Sequence, residues 1–114
     1  MKTTKFWRLV VTASVLSLMT ADLASADSYD RRIILINQSD STIAEFHASN
    51  VGTNSWQEDI LGDSVVPPGS SVPINLDDGS GYCLFDFKTV TRDGATIIRR
   101  GINVCNTTTY TITD

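Results

Sequence analysis

Two cysteines, Cys83 and Cys105, bracket the turn sequence Arg92-Asp93-Gly94 at similar distances, and no other feature limits the chain as much. They are the only cysteines, so a bridge between them closes a loop of about 23 residues and restricts the unfolded chain by roughly 3 kcal/mol. On either side of the turn, Tyr82 to Thr91 and Ala95 to Val104 are rich in β-branched and aromatic residues, the signature of a hairpin. A two-residue turn at Asp93-Gly94 would set the cysteines on opposite faces of the sheet, where they cannot bond. A three-residue loop with Gly94 left-handed shifts the register by one and makes them diagonal neighbours on one face. That register also sets Asp86 opposite Arg100 and Phe85 opposite Gly101, a charge pair and an aromatic over a glycine. A bulge at Gly101 is the alternative that restores parity.

The rest of the sequence repeats the strand signature. No stretch after the first 26 residues holds apolar residues at helical spacing, whereas short β-branched runs recur between turn residues. Arg31 to Asn37 contains Ile33, Ile34, Leu35 and Ile36, a run expected of a central strand, and Gln38 to Ser41 turns the chain. Thr42 to Ala48 places Ala44, Phe46 and Ala48 on an inward face, with Ile43, Glu45 and His47 opposite. Ser49 to Val66 is too long for a hairpin turn and reads as a packed loop around Trp56, Ile60 and Leu61. Pro67-Pro68-Gly69 fits a type II turn. Ser71 to Leu76 is an edge strand because Pro73 lacks an N–H, Asp77 to Gly81 turns, and Thr107 to Thr113 closes the domain. The expected fold is all-β, a small antiparallel β-sandwich or open barrel of about six strands with one disulfide.

The first 26 residues read as a removable export signal. Lys2, Lys5 and Arg8 form a positive start, Leu9 to Met19 an apolar stretch, and Ala24-Ser25-Ala26 a small-residue cleavage site. The apolar stretch is about half of the ~20 residues a membrane span needs, and no cysteine near the cleavage site offers a lipid acceptor, so no stable membrane anchor is expected. The 88 residues from Asp27 to Asp114 form one domain, expected in the periplasm or secreted, where an even cysteine count reads as a bridge. A core of that size buries only about 60–65% of the unfolded surface, which makes the staple useful. Six Lys/Arg against twelve Asp/Glu leave this part at about −6, a balance unsuited to nucleic acid or to an anionic membrane surface.

Little in the sequence carries chemistry. His47 is the only histidine, there is no G-x-S-x-G elbow, and both thiols are committed to the bridge. Carboxylates at Glu58, Asp59, Asp63, Asp77 and Asp78 sit in loops with no partner shell to define a hydrolytic pair. The chain is therefore expected not to be an enzyme. Asp77, Asp78 and Ser80 resemble a fragment of a calcium loop, with Asp59 and Asp63 near if the long loop folds back. No twelve-residue loop follows them, and the same composition makes an ordinary turn. Calcium is thus a candidate, and no other cofactor is expected. Trp56, with Asp59 and Leu61, marks a candidate ligand or partner loop, since an aromatic in a polar loop serves recognition. Asn37-Gln38-Ser39 and Asn106-Thr107-Thr108 match the glycosylation pattern, which a bacterial type of signal makes incidental.

Ser55-Trp56 to Asp59, Leu61-Gly62, Pro68-Gly69, Gly81, Cys83, Asp86, Asp93-Gly94 and Cys105 follow one another in an order that resembles a group of small exported bacterial proteins with no assigned activity. The resemblance spans nearly all of residues 27–114. It implies the signal, the disulfide and a β-rich fold, and it transfers no catalytic or binding residue. The expected function is a non-enzymatic module that contacts an exported protein or a small ligand, through the Trp56 loop or a sheet edge. The alternatives are an inhibitor or immunity protein acting on an exported enzyme, and a calcium-binding exported domain.

Overall fold

The computed structural model describes residues 27–114, so the export signal expected over residues 1–26 lies outside the described residues. Six strands follow in chain order: β1 Arg32–Gln38, β2 Ile43–Asn50, β3 Ser71–Asn75, β4 Leu84–Thr91, β5 Thr96–Asn103 and β6 Thr109–Thr113. They form two three-stranded sheets, β3-β1-β6 and β2-β4-β5, which share one apolar core as a small sandwich.

β1 is the central strand of its sheet. Ile33 and Leu35 point into the core, while Ile34 and Ile36 face outward with partial exposure, so the apolar run serves both faces. Phe46 of β2 and Phe87 of β4 meet edge to face at 5.1 Å, and Tyr110 of β6 reaches Phe87 from the other sheet at 4.9 Å. These rings weld the two sheets, each buried Phe contributing about 2–3 kcal/mol of transfer free energy.

The structure corrects three details of the sequence reading. One pair in the sandwich, β1 with β6, is parallel. Both strands start from the disulfide end, β1 beside Tyr82 through Arg31 and β6 just after Cys105, so they must run the same way. In β2 a bulge between Ile43 and Glu45 inserts one residue, which turns Ile43 into the core together with Phe46. Strict alternation would have put Ile43 outside.

The third correction concerns the hairpin. Thr91 N–H donates to the Ala95 carbonyl, Gly94 N–H donates back to Thr91, and Gly94 takes a φ of 96°, the three-residue loop expected. Asp86 also pairs with Arg100 as expected, Arg100 Nη1 lying 3.1 Å from Asp86 Oδ2. The Gly101 bulge is present as well, not instead: Gly101 has a φ of 70°, Phe87 opposes Arg99, and Phe85 opposes Ile102 rather than Gly101. The two shifts cancel in parity, so Val104 lies across from Cys83, its N–H donating to the Cys83 carbonyl at 2.8 Å, and Cys105 is not the diagonal same-face neighbour that the loop alone implies. The Cys83–Cys105 bridge nevertheless forms, with Cα atoms 5.3 Å apart. A turn closed by Asn106 and Thr107 N–H on the Asn103 carbonyl curls Cys105 back onto the strand end. The bridge is therefore a clasp between the residue that leads into β4 and a turn, and a disulfide of this kind belongs to an oxidising compartment.

Candidate functional site

The long segment after β2 has two jobs, divided between neighbouring residues. Asp59 Oδ1 accepts hydrogen bonds from the N–H groups of Phe46 and Leu61, and Ile60 N–H donates to the Phe46 carbonyl at 2.8 Å. Gln57 N–H donates to Ser49 Oγ, and Val66 exchanges both backbone bonds with Ile43. These contacts cover the free edge of β2, which would otherwise offer unpaired backbone to another chain. Leu61 is buried in the core. Of the three residues of the candidate loop, Asp59 and Leu61 thus hold the loop to the body, and Trp56 alone is turned outward.

Trp56 lies over the outer face of the β2-β4-β5 sheet. Its ring sits 5.5 Å from Lys88 Nζ and 5.7 Å from the Arg100 guanidinium carbon, both within range of a cation–π attraction of about 0.5–1 kcal/mol at an exposed site. Asp86 holds Arg100 in place: its Oδ2 accepts from Arg100, and its Oδ1 accepts from the N–H of Gly101 at 3.0 Å. The bulge therefore aims the arginine at the indole. Beside the ring is a depression of about 100 Å³ walled by Ser49, Thr53, Asn54, Ser55, Asp86 and Arg100. An aromatic wall, one cation, a carboxylate, three hydroxyls and a side-chain amide converge there.

The second candidate cluster is the turn after β3. Asp77 Oδ1 accepts from Gly79 N–H, and Asp78 Oδ1 from Ser80 N–H, while Asp78 Oδ2 accepts from Asn50 Nδ2 at 2.9 Å. Each carboxylate folds its own turn, the Asx-turn use of aspartate. Burial opposes ionisation of Asp78, but bonds from Ser80 and Asn50 outweigh it and hold its pKa below the usual value. Among the described residues, no group of three or more His, Cys, Asp or Glu side chains is placed to hold a metal ion. The long loop does fold back toward this turn: Glu58 and Ile60 line a cleft of about 440 Å³ with Asp77, Asp78 and Ser80. Asp59 faces β2 instead, and Asp63 is not part of that cleft.

Arg31 ties this end together, and nothing in the sequence singled it out. Its side chain is 2% exposed, and its guanidinium donates to Asp27 through Nη1 and Nη2, to the Tyr82 carbonyl through Nε at 2.7 Å and to the Gly81 carbonyl. The hydrogen bonds from Arg31 hold the Asp27 carboxyl below its ordinary pKa, helped by Tyr29 N–H. A charged residue at the start of an apolar strand gives no sequence signal of burial, because the carbonyls it holds are 50 and 51 positions away.

His47 has both ring nitrogens occupied, Nδ1 with the Gln57 carbonyl at 2.7 Å and Nε2 with Glu45 Oε1 at 2.8 Å. Neither contact is a nucleophile. Asn37 is wholly buried and hydrogen-bonded, which removes it as a glycosylation acceptor, whereas Asn106 is exposed on the turn after the bridge. Compared with protein-family models, with curated proteins and with solved structures, the chain matches none, and the site is accordingly read from its own residues.

Proposed function

We propose that this chain is a non-enzymatic interaction module of the periplasm or the extracellular space, which contacts a partner through the outer face of β2-β4-β5 around Trp56. The observation that carries this reading is the indole within cation–π range of both Lys88 and Arg100 on an outer sheet face, in a loop whose neighbours Asp59 and Leu61 anchor it. Large aromatics flanked by arginine, set over rigid strands, are the residues that dominate binding energy at interfaces. The disulfide and the export-signal pattern of residues 1–26 support the location.

Immobilised oxidised protein, presented with periplasmic extract and with spent medium, tests this. A partner retained by the parent protein and weakened about thirtyfold or more by Trp56→Ala is the expected result, the size of a hot-spot loss. Equal retention by both proteins removes the Trp56 face from the reading. Retention of a hydrolase whose turnover stops on binding would make the module an inhibitor.

A further inference from the structure

Among the described residues, the four sheet edges are not equally closed. The edge of β2 is covered by the segment from Gln57 to Leu61. β3 is five residues long with Pro73 in its middle, and β6 is also only five residues long. β5 is different: eight residues, no proline, and solvent exposure along most of its length. The Thr91 to Ala95 bond fixes the phase of the β4–β5 ladder, so the N–H and C=O groups of Thr96 and Ile98 point away from β4 toward solvent.

Charge is segregated onto the same hairpin. Leu84 to Asn103 carries Lys88, Arg92, Arg99 and Arg100 against Asp86 and Asp93, whereas the rest of residues 27–114 carries two cations against ten carboxylates. Arg99 and Arg92 form no ion pair among the described residues. Arg99 and Arg100 project to opposite sides of β5, so both faces of any strand laid beside it meet a guanidinium. Ile98, 45% exposed, lies next to Lys88 on the outer face and offers an apolar contact between them.

We infer that the free edge of β5, over Thr96 to Arg99, accepts an extended acidic segment of the partner as an added strand. Main-chain bonds to Thr96 and Ile98 supply the pairing, and carboxylates on alternate faces meet Arg99 on one side and Arg100 on the other. A second copy of the chain is disfavoured there, because two β5 edges related by a two-fold axis would bring arginines together. The bulge at Gly101 also ends regular pairing after four residues. This inference rests on the interaction-module reading and names the chemistry of its partner.

The test is a titration of the full, oxidised, isotope-labelled protein with a blocked seven-residue peptide alternating Val and Glu, and with its Val and Lys counterpart. With the Glu peptide, the Thr96 and Ile98 amide resonances should move, their hydrogen exchange should slow about tenfold, and both effects should fade as salt is raised. The Lys peptide should leave them unchanged. Arg99→Glu should abolish the response at an unchanged melting temperature. Ile98→Pro should also abolish it, since that N–H faces away from β4; if this variant does not fold, Arg99→Glu carries the test. No change at Thr96 and Ile98, an equal response to the Lys peptide, or a concentration-dependent dimer through these residues would each overturn strand addition. Trp56 fluorescence separates the two proposals: a change in it without a response at Thr96 and Ile98 leaves the Trp56 face standing and removes only the added strand.

Discussion

The side-chain amide of Asn37 donates to the backbone carbonyl of Val66 at 2.8 Å, and through that bond the end of β1 in one sheet is fastened to the segment bridged to β2 in the other. The same nitrogen donates to the Ser41 carbonyl, while Oδ1 accepts from both the N–H and the hydroxyl of Ser39. Every group of a fully buried amide is thereby satisfied, and the crossover between the sheets has one shape.

Asn37→Ala should lower the unfolding free energy by about 1–3 kcal/mol, because the Ser39 N–H loses its acceptor in the interior and the Val66 and Ser41 carbonyls each lose one of their two donors. Asn37→Asp should be worse, since it keeps the acceptor and replaces the donor with an anion facing two carbonyl oxygens. Urea titration with an unchanged slope and a lower midpoint would check both. A loss below about 0.5 kcal/mol for the alanine variant would mean that the network does not hold the crossover.

Asp59→Ala should free the edge of β2. The variant loses two charge-assisted bonds to the Phe46 and Leu61 N–H groups, a loss of about 1–3 kcal/mol. Hydrogen exchange at Phe46 should rise, and the protein should aggregate more readily as the uncovered strand meets its copies. An unchanged exchange rate at Phe46 would show that Ile60 alone covers the edge.

These two residues mark where the sequence stops being readable. Strand positions followed from β-branched runs and turn residues, and the covalent closure from two cysteines around Arg92-Asp93-Gly94. The roles of Asn37, Asp59 and Arg31 were not readable, because each acts on backbone groups 13 to 51 positions away, which residue type and local spacing do not encode. The bulge at Ala44 escaped for a related reason. Gly101 was recognised as a possible bulge, but the three-residue loop already satisfied the parity argument, and only the turn after Asn103 shows why both are tolerated. At the candidate site, an aromatic in a polar loop was legible in Trp56, while its cations on β4 and β5 depended on how that loop lies over the sheet.

Thr89 sits fully buried on the inward face of β4, and its hydroxyl has no hydrogen-bond partner among the described residues. Thr89→Val keeps the shape and removes an unpaired polar atom, so the variant should gain up to about 1–2 kcal/mol. A higher urea midpoint checks this, and a destabilised variant would mean that the hydroxyl is bonded in solution.

Calcium should leave the melting temperature of the oxidised protein unchanged at millimolar concentration, because the Asp77 and Asp78 oxygens already close their own turns. Calorimetric scans with calcium and with chelator are the check. A rise that Asp78→Asn removes would restore calcium binding as a function of this turn.

Acid should act through Asp27. The folded protein holds its carboxyl below the ordinary value of 3.8, chiefly by the hydrogen bonds from Arg31, so the unfolded chain binds this proton more readily than the folded one. The stabilisation is therefore complete above that value and disappears as the pH falls through and below it. Asp27→Asn lacks the contribution at every pH. The parent protein should be the more stable of the two at pH 7, and the difference should close as the solution is taken to about pH 2. Asp30 and Asp93 are lowered as well, by Arg32 and Thr91, so both proteins keep some loss of stability in acid. What isolates the Asp27–Arg31 pair is the closing gap, and a gap that stays constant down to pH 2 would show that Arg31 gains its hold on the Gly81 and Tyr82 carbonyls without the help of the carboxylate.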